Sequence, residues 1–227
     1  MNFSELLFRI TGKICHIYYE SISQFFTKKG KIYMFHKIGE EDGEFNISVS
    51  EFQSFVNQIK SRNVIRLEDW ENHWDFVALT FDDVPESFYY KAYPILIKYN
   101  LPFCLFVNVS LLDKPGYITT SQLNELSKCN LCTIGSHGIS HDAYRKFSKN
   151  DAVKDLATSK KILESLTGLK VDMFAFPYGS YSACGFLHKK LVADFYKYGF
   201  STIAIPVSTK HLLPSYFLPR INYSGIK

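Results

Sequence analysis

Short hydrophobic runs recur along the chain, and five of them lead into residues suited to acid–base or metal chemistry. Runs of this length and composition are typical of buried β-strands. If the strands are parallel, their carboxyl ends share one edge, where α/β proteins place their active sites. The pattern therefore predicts an enzyme. The five runs lead into His36, into Asp82 and Asp83, into Ser136 and His137, into Pro177 to Gly179, and into Arg220.

Segments with helical periodicity separate these runs. A helix is predicted after Asp83 and is expected to be disturbed at Pro94. Another begins near Ser148 and stops at Gly168. We also predict a strand at Val64–Leu67, a helix at His188–Tyr198 that ends at Gly199, and a strand at Ser201–Ile205.

Strands and helices thus alternate from about residue 31 to residue 222. Such alternation predicts an α/β fold with parallel strands and right-handed crossovers. About seven strands are expected from the pattern. No glycine-rich phosphate motif follows any strand, which disfavours a doubly wound nucleotide fold. The favoured architecture is a deformed or incomplete (β/α) barrel.

The 227 residues fit one catalytic domain, residues 30–227, preceded by a helical extension, residues 1–29. The extension has an amphipathic character that suits packing on the domain, or binding to a membrane surface or a partner. It lacks the pattern of a secretory signal, so we expect a cytoplasmic protein, with peripheral membrane association left open. No apolar run is long enough to form a transmembrane segment.

Composition narrows the class of partners. The net charge of +4 is too small and too scattered to predict nucleic-acid binding. The five cysteines are odd in number and irregularly spaced, which argues against a disulfide framework. The oligomeric state is not predictable from these features.

Asp82 and Asp83 form the first candidate chemical group. At a strand end the chain turns, so that adjacent carboxylates can reach one site. One carboxylate can then bind a metal while the other takes a proton. An aspartate pair alone favours a solvated turn or a helix cap over such a site.

His137 and His141 form the second group, with a spacing that places two imidazoles on one face of a helical turn. With Asp83 they would make a set of two histidines and one carboxylate, which leaves coordination positions open for water and substrate. Pro177-Tyr178-Gly179 is the third group, because a tight turn after a strand can aim a backbone N–H at an oxyanion.

Taken together, these motifs resemble those of the polysaccharide deacetylases, the NodB-homology family. The resemblance covers about residues 31–222. It is carried by Thr80-Phe81-Asp82-Asp83, then by Ser136-His137-Gly138-Ile139-Ser140-His141, then by Phe174-Ala175-Phe176-Pro177-Tyr178-Gly179, in this order and spacing.

The resemblance implies a deformed barrel that hydrolyses acetyl groups, usually N-acetyl, on glycans. Asp82 would be the general base. Asp83, His137 and His141 would hold a divalent metal, commonly zinc, with cobalt, nickel and iron as alternatives. The Tyr178 N–H would stabilise the oxyanion, and Pro177, Tyr178 and Gly179 would line the substrate site.

Several positions depart from the family pattern. The usual late Leu-x-x-His is missing, but Met34-Phe35-His36 resembles the first-strand motif of permuted members, which makes His36 the expected general acid. The arginine that usually precedes Pro-Tyr-Gly is absent, and Arg220 is the candidate to replace its charge. Val84 replaces a glycine, and Gly138 replaces a hydroxyl residue.

Three functions therefore remain open from the sequence. The first is metal-dependent deacetylation of an acetylated glycan or sugar intermediate. The second is hydrolysis of a non-sugar acyl amide by the same chemistry. The third is a catalytically silent glycan-binding domain. The retained acid–base and metal-ligand residues argue against it, namely Asp82, Asp83, His137, His141 and His36.

Overall fold

A computed structural model of the protein describes residues 30–39, 43, 45–185, 188–207 and 214–224. The predicted extension, residues 1–29, lies outside the described residues, so its helical structure and its role stay predictions. None of the helices in the described part combines the length and the apolar character that a bilayer-spanning segment needs.

The core of the molecule is a curled sheet of parallel strands. The strands are β1 (Lys31–Phe35), β2 (Lys37–Ile38), β3 (Asn46–Ile47), β4 (Val77–Asp82), β5 (Phe103–Val107), β6 (Cys132–Ser136), β7 (Met173–Ala175), β8 (Tyr198–Phe200) and β9 (Ile221–Asn222). Seven of them form the main sheet in the order β8-β7-β6-β5-β4-β1-β9, and all the paired neighbours are parallel. The other two, β2 and β3, pair separately.

Helices follow most strands and return the chain to the amino edge of the sheet. They are α1 (Val49–Ile59), α2 (Tyr93–Lys98), α3 (Thr120–Ser127), α4 (Lys149–Thr167), α5 (Tyr181–Cys184) and α6 (His188–Leu191), with 3₁₀ turns at Leu67–Asn72, Val109–Leu111, Tyr144–Lys146 and Val192–Asp194. The predicted limits of the longest helix, α4, are confirmed. The Ser148 hydroxyl accepts a hydrogen bond from the Asp151 amide, and Gly168 ends the helix with φ +69°.

The predicted disturbance near Pro94 is also present. One π-helical turn, Phe88–Ala92, runs directly into α2, and Pro94 lies in the first turn of α2. Proline lacks an amide hydrogen and crowds the preceding helical turn, and a π-turn is one way in which a continuous helix accommodates such a break.

Both faces of the sheet are covered, as expected for parallel strands. Every residue of β4 and β5 is buried. Alternate residues face two apolar clusters: Phe81 and Leu105 pack towards the helices, whereas Ala78 and Phe106 face the inside of the curl. The sheet edge that carries the strand carboxyl ends is therefore a rim around a filled interior.

Residues 214–222 connect the two edges of the sheet. Gly199 in β8 donates to the Ser215 carbonyl at 2.8 Å and accepts from the Leu218 amide at 2.7 Å. The same segment then becomes β9, which pairs with β1 through Ile221 and Asn222. The expected deformed barrel of about seven parallel strands is confirmed.

Three local predictions were wrong. Val64–Leu67 is no strand: Val64 makes a single bridge to Val77, and a 3₁₀ turn begins at Leu67. The helix predicted to end at Gly199 stops at Leu191, followed by a 3₁₀ turn to Asp194. Gly199 itself lies within β8, and Ser201–Ile205 has no regular structure. Gly199 marks a close backbone contact, because a Cβ built there would lie 2.3 Å from the Tyr216 carbonyl oxygen.

We expect Gly199→Ala to lower the free energy of unfolding by about 2–3 kcal/mol, because the added methyl group must displace the closing segment. Gly168→Ala is the control. It forces a left-handed backbone on alanine but meets no atom within 4 Å, so it should cost about 1 kcal/mol. Urea denaturation measures both, and equal losses would contradict the role given to the closing segment.

Candidate active site

The predicted functional side chains come together at the carboxyl rim of the sheet. Asp82 is the last residue of β4, and His36 directly follows the neighbouring strand β1. His137 directly follows β6, and Pro177 lies just beyond β7. Arg220 directly precedes β9, and its guanidinium lies over the Phe106 ring inside the curl. Arg220 therefore reaches the rim from the barrel interior.

Asp82 and Arg220 form a buried, bidentate ion pair. Arg220 Nη1 donates to Asp82 Oδ1 at 2.6 Å, and Nη2 donates to Oδ2 at 2.8 Å. Two further donor hydrogens of Arg220 are also used: Nη1 donates to the Thr80 hydroxyl at 3.2 Å, and Nε donates to the Ser201 carbonyl at 3.1 Å. The side chain of Asp82 is 2% exposed and that of Arg220 is fully buried, so the pair is shielded from solvent.

The ion pair sets the protonation state of Asp82. Burial raises the pKa of this carboxyl group, but the positive charge of Arg220 and its hydrogen bonds outweigh burial and lower the pKa to about 2. Asp82 is therefore ionised throughout the neutral range. Arg220 secures this charge at the expense of basicity, because a carboxylate with a lower pKa binds a proton less tightly.

The chain turns sharply after Asp82. Asp83 and Val84 have φ values of +59° and +51°, and the Val84 amide donates to the Asp82 carbonyl at 2.6 Å. A positive φ is uncommon for an aspartate and a genuine outlier for a β-branched residue. The turn directs the two adjacent carboxylates to different partners, so that Asp82 faces Arg220 and Asp83 faces the two histidines. Val84, at the position of the expected glycine, adopts the backbone that a glycine would favour.

Asp83, His137 and His141 form a group with the composition and spacing of a metal site. Their candidate ligand atoms all lie within 4.8 Å of one another. Asp83 Oδ1 lies 3.5 Å from His141 Nε2 and 3.9 Å from His137 Nε2. Tetrahedral zinc ligands about 2 Å from the ion are about 3.3 Å apart, so modest movement would close the set around an ion.

Two further observations fit a metal at this position. Asp83 Oδ1 is buried and has no hydrogen-bond partner among the described residues. His137 Nδ1 donates to the Ala175 carbonyl at 2.8 Å, which leaves the Nε2 lone pair facing Asp83. Burial lowers the pKa of His137, although the negative charges of Asp82 and Asp83 oppose this. The neutral ring that results is the form that binds metals.

The local geometry of the histidine pair differs from the sequence expectation. His137 and His141 do not lie on a helical turn, because residues 137–143 form a loop. Gly138 and His141 have φ values of +78° and +54°, and the ring centroids of the two histidines are 5.2 Å apart. A loop with two left-handed residues, and not helical periodicity, therefore brings the two imidazoles together.

His36 lies on the opposite side of the aspartate pair. Burial lowers the pKa of its imidazole, whereas the charges of Asp82 and Asp83 favour protonation. Its Nδ1 atom has no hydrogen-bond partner in the described part of the chain. The ring of Phe45, which is 47% exposed, lies against His36 with a centroid distance of 5.0 Å.

The Pro177-Tyr178-Gly179 turn borders the metal side of the site. Tyr178 and Gly179 have φ values of +61° and +53°. Thr202 fixes the turn: its amide donates to the Gly179 carbonyl, and its hydroxyl donates to the Tyr178 carbonyl, both at 3.0 Å. The Tyr178 side chain is 61% exposed, and its ring lies 5.0 Å from the His141 ring.

The family model described as polysaccharide deacetylase matches residues 71–186 of the 227-residue chain, slightly more than half. The chain belongs to the polysaccharide deacetylase family. The family assignment and the relatives make the chain a polysaccharide deacetylase, a hydrolase that acts on carbon–nitrogen bonds other than peptide bonds.

The relatives of this polysaccharide deacetylase span most of the chain. A poly-β-1,6-N-acetyl-D-glucosamine N-deacetylase of Staphylococcus aureus is 27% identical, over 84% of this chain and 71% of the relative. The deacetylase PplD of Streptococcus pyogenes, solved with acetate, shares the fold with a TM-score of 0.76 and 22% identity, over 86% of this chain and 92% of that chain. A Bacillus cereus polysaccharide deacetylase gives a TM-score of 0.77 at 20% identity, and 86% of this chain matches 65% of that longer protein.

Sequence reasoning missed Asp155, which contacts the loop of the deacetylase that carries the two histidines. The Tyr144 hydroxyl donates to Asp155 Oδ1 at 2.5 Å, and the Ile139 amide donates to Oδ2 at 3.1 Å. The sequence did contain one sign of this role, because Asp155 is a charged residue within the otherwise mostly apolar buried face of α4. The buried face of α4 is formed by Ala152, Asp155, Leu156, Ser159 and Leu163.

We expect Arg220→Met to lower the free energy of unfolding by about 3–5 kcal/mol, because it leaves Asp82 buried without a counter-charge. Arg62→Met is the matched control. It removes an exposed pair, 3.3 Å from Asp75, and should cost about 1 kcal/mol or less. Urea denaturation measures both variants, and a small loss for Arg220→Met would show that the buried pair is not a major stabilising contact.

Proposed function

We propose that this protein is a metal-dependent hydrolase that removes an acetyl group, as N-acetyl, from a glycan or sugar intermediate. The observation that best supports this is the different environment of two adjacent carboxylates. Asp82 is ionised and held by Arg220, whereas Asp83 has an unpartnered oxygen beside His137 and His141. One carboxylate is thus available for proton transfer and the other for metal binding.

Asp83, His137 and His141 are the proposed metal ligands. Two imidazoles and one carboxylate, with positions left open, are a catalytic zinc set, so zinc is proposed, with cobalt, nickel and iron as alternatives. A metal bound there would supply Lewis acidity, which lowers the pKa of water and polarises the acetyl carbonyl.

The side chains and the one backbone amide around this position have distinct proposed roles. Asp82 takes a proton from water as the water oxygen attacks the acetyl carbon, and Arg220 holds both carboxylate oxygens in place. The Tyr178 N–H donates to the carbonyl oxygen, where negative charge develops. His36 gives a proton to the amide nitrogen, so that the C–N bond breaks and the amine leaves neutral. The lowered pKa of His36 makes its protonated ring a stronger acid.

A sugar substrate is favoured over a small acyl amide by the rings that border the site. Phe45 and Tyr178 are both exposed, and they lie against His36 and His141 on opposite sides of the aspartate pair. Exposed rings of this kind offer apolar surfaces for the carbon–hydrogen faces of a pyranose. The relatives from Staphylococcus aureus are named for poly-β-1,6-N-acetyl-D-glucosamine, and we extend this class of N-acetylated hexosamine polymer to the present chain. The cytoplasmic location expected from the sequence stays a prediction.

The central test compares metal content with acetate release from N-acetylglucosamine oligomers. Asp82→Asn should keep near-stoichiometric metal but lose at least about 100-fold in rate, because the asparagine amide cannot take a proton from water. The double variant His137→Ala, His141→Ala should lose both metal and activity. Circular dichroism checks that each variant is folded, because Asp82→Asn leaves Arg220 buried without its partner. A wild-type protein that binds no metal after reconstitution with zinc, cobalt or nickel would exclude this mechanism and favour the silent binding domain.

A second test addresses the substrate class. Phe45→Ala should raise KM for the oligomers roughly fivefold, which corresponds to about 1 kcal/mol of lost ring contact. It should leave hydrolysis of a small acetanilide unchanged. Trp74→Ala is the control, since Trp74 is similarly exposed, at 49%, but precedes the amino end of β4. Equal effects of Phe45→Ala on both substrates would favour a non-sugar acyl amide as the natural substrate.

A further inference from the structure

The loop that joins the two histidines is held on both sides by hydrogen bonds. On one side its carbonyls accept from the segment after β5: the Val109 amide donates to Gly138 at 3.1 Å, and the Ser110 amide donates to Ile139 at 3.2 Å. On the other side, the Ile139 amide donates to Asp155 Oδ2 at 3.1 Å. Two of the three residues between His137 and His141, Gly138 and Ile139, are therefore anchored.

Asp155 is itself held firmly. It lies on the buried face of α4 and is 8% exposed. Its second oxygen accepts from the Tyr144 hydroxyl at 2.5 Å, and the Tyr144 ring packs edge-on against Phe174 and Phe176. The carboxyl group thus connects the histidine loop to a 19-residue helix and to the aromatic core.

Asp155 leaves no room for a side chain at position 138. A Cβ built on Gly138 would lie 2.9 Å from Asp155 Oδ1, closer than non-bonded carbon and oxygen atoms approach. Gly138 also has a φ of +78°, which side chains rarely adopt. The hydroxyl residue expected at this position is therefore incompatible with the carboxyl group where it stands.

We propose that Asp155 is a positioning residue, which fixes the loop between His137 and His141 so that both imidazoles face Asp83. This proposal rests on the metal site proposed above, and it assigns to α4 a role in metal affinity. Outer groups that orient metal ligands typically change metal affinity 10- to 100-fold when they are removed.

The test measures zinc affinity by competition with a chromophoric chelator, and records the visible spectrum of the cobalt-loaded protein. Asp155→Ala should weaken zinc binding about 10- to 100-fold and alter the cobalt spectrum. Asp155→Asn should recover much of the affinity, because an amide oxygen can still accept from the Ile139 amide.

Ser159→Ala is the matched control for stability. Ser159 lies one turn further along α4, is fully buried, and hydrogen-bonds to Tyr196 at 3.1 Å, away from the histidine loop. This variant should lower Tm without changing zinc affinity. A loss of Tm in Asp155→Ala, with zinc affinity within about twofold of the wild type, would reduce Asp155 to a structural residue and overturn the proposal.

Gly138→Ala provides a second route that keeps Asp155. The added methyl group should push the loop away from the carboxyl group and weaken zinc binding, even if Asp155→Ala does not fold. Unchanged affinity in Gly138→Ala would also count against the proposal. A wild-type protein that binds neither zinc nor cobalt would refute both the metal site and this role, whereas normal wild-type binding with unaffected variants would refute this role alone.

Discussion

The buried ion pair between Asp82 and Arg220 links the closure of the barrel to its active site. Removing two charges from water costs several kcal/mol per ion, and only good geometry with satisfied donors compensates for that cost. Here both carboxylate oxygens are paired, and Thr80 and Ser201 accept the other contacts of the guanidinium. Arg220 can occupy this position only because residues 214–222 connect β8 to β1. The last segment of the sheet thus supplies a residue of the proposed catalytic site.

Two neighbouring aspartates acquire opposite electrostatic environments from a single turn. Asp82 remains on the strand and meets Arg220 in the interior. Asp83, with φ +59°, leaves the strand direction and meets the histidines. Backbone in such regions costs about 1–3 kcal/mol per residue and persists only where the surroundings impose it. Burial of the Val84 side chain in the core holds the turn, so packing energy maintains the strain that separates the two carboxylates.

The residues at strand ends were predictable because parallel strands fix which ends meet. Hydrophobic runs located Asp82, His137 and Pro177, and the parallel sheet brought them to one rim. Arg220 was proposed from the sequence because the arginine that usually precedes Pro-Tyr-Gly is absent, and another residue had to supply its positive charge beside the base. Asp155 and Gly199 were not found, because each acts through a contact distant in sequence: Asp155 binds backbone amides of another element, and Gly199 makes room for the Tyr216 carbonyl. Periodicity reports which face of an element is buried, not which backbone approaches it.

The strand order divides the site into two halves that meet at the aspartate pair. His36 and Arg220 come from β1 and the start of β9, which lie on one side of β4. His137 and the Tyr178 turn come from β6 and β7, which lie on the other side. The groups proposed to move protons are therefore gathered on one flank, and the groups proposed to bind metal and oxyanion on the other. Spatial order in the sheet, and not order along the chain, sets this arrangement. The proposed acid, His36, therefore lies next to the proposed base, Asp82, because β1 lies directly beside β4 in the sheet.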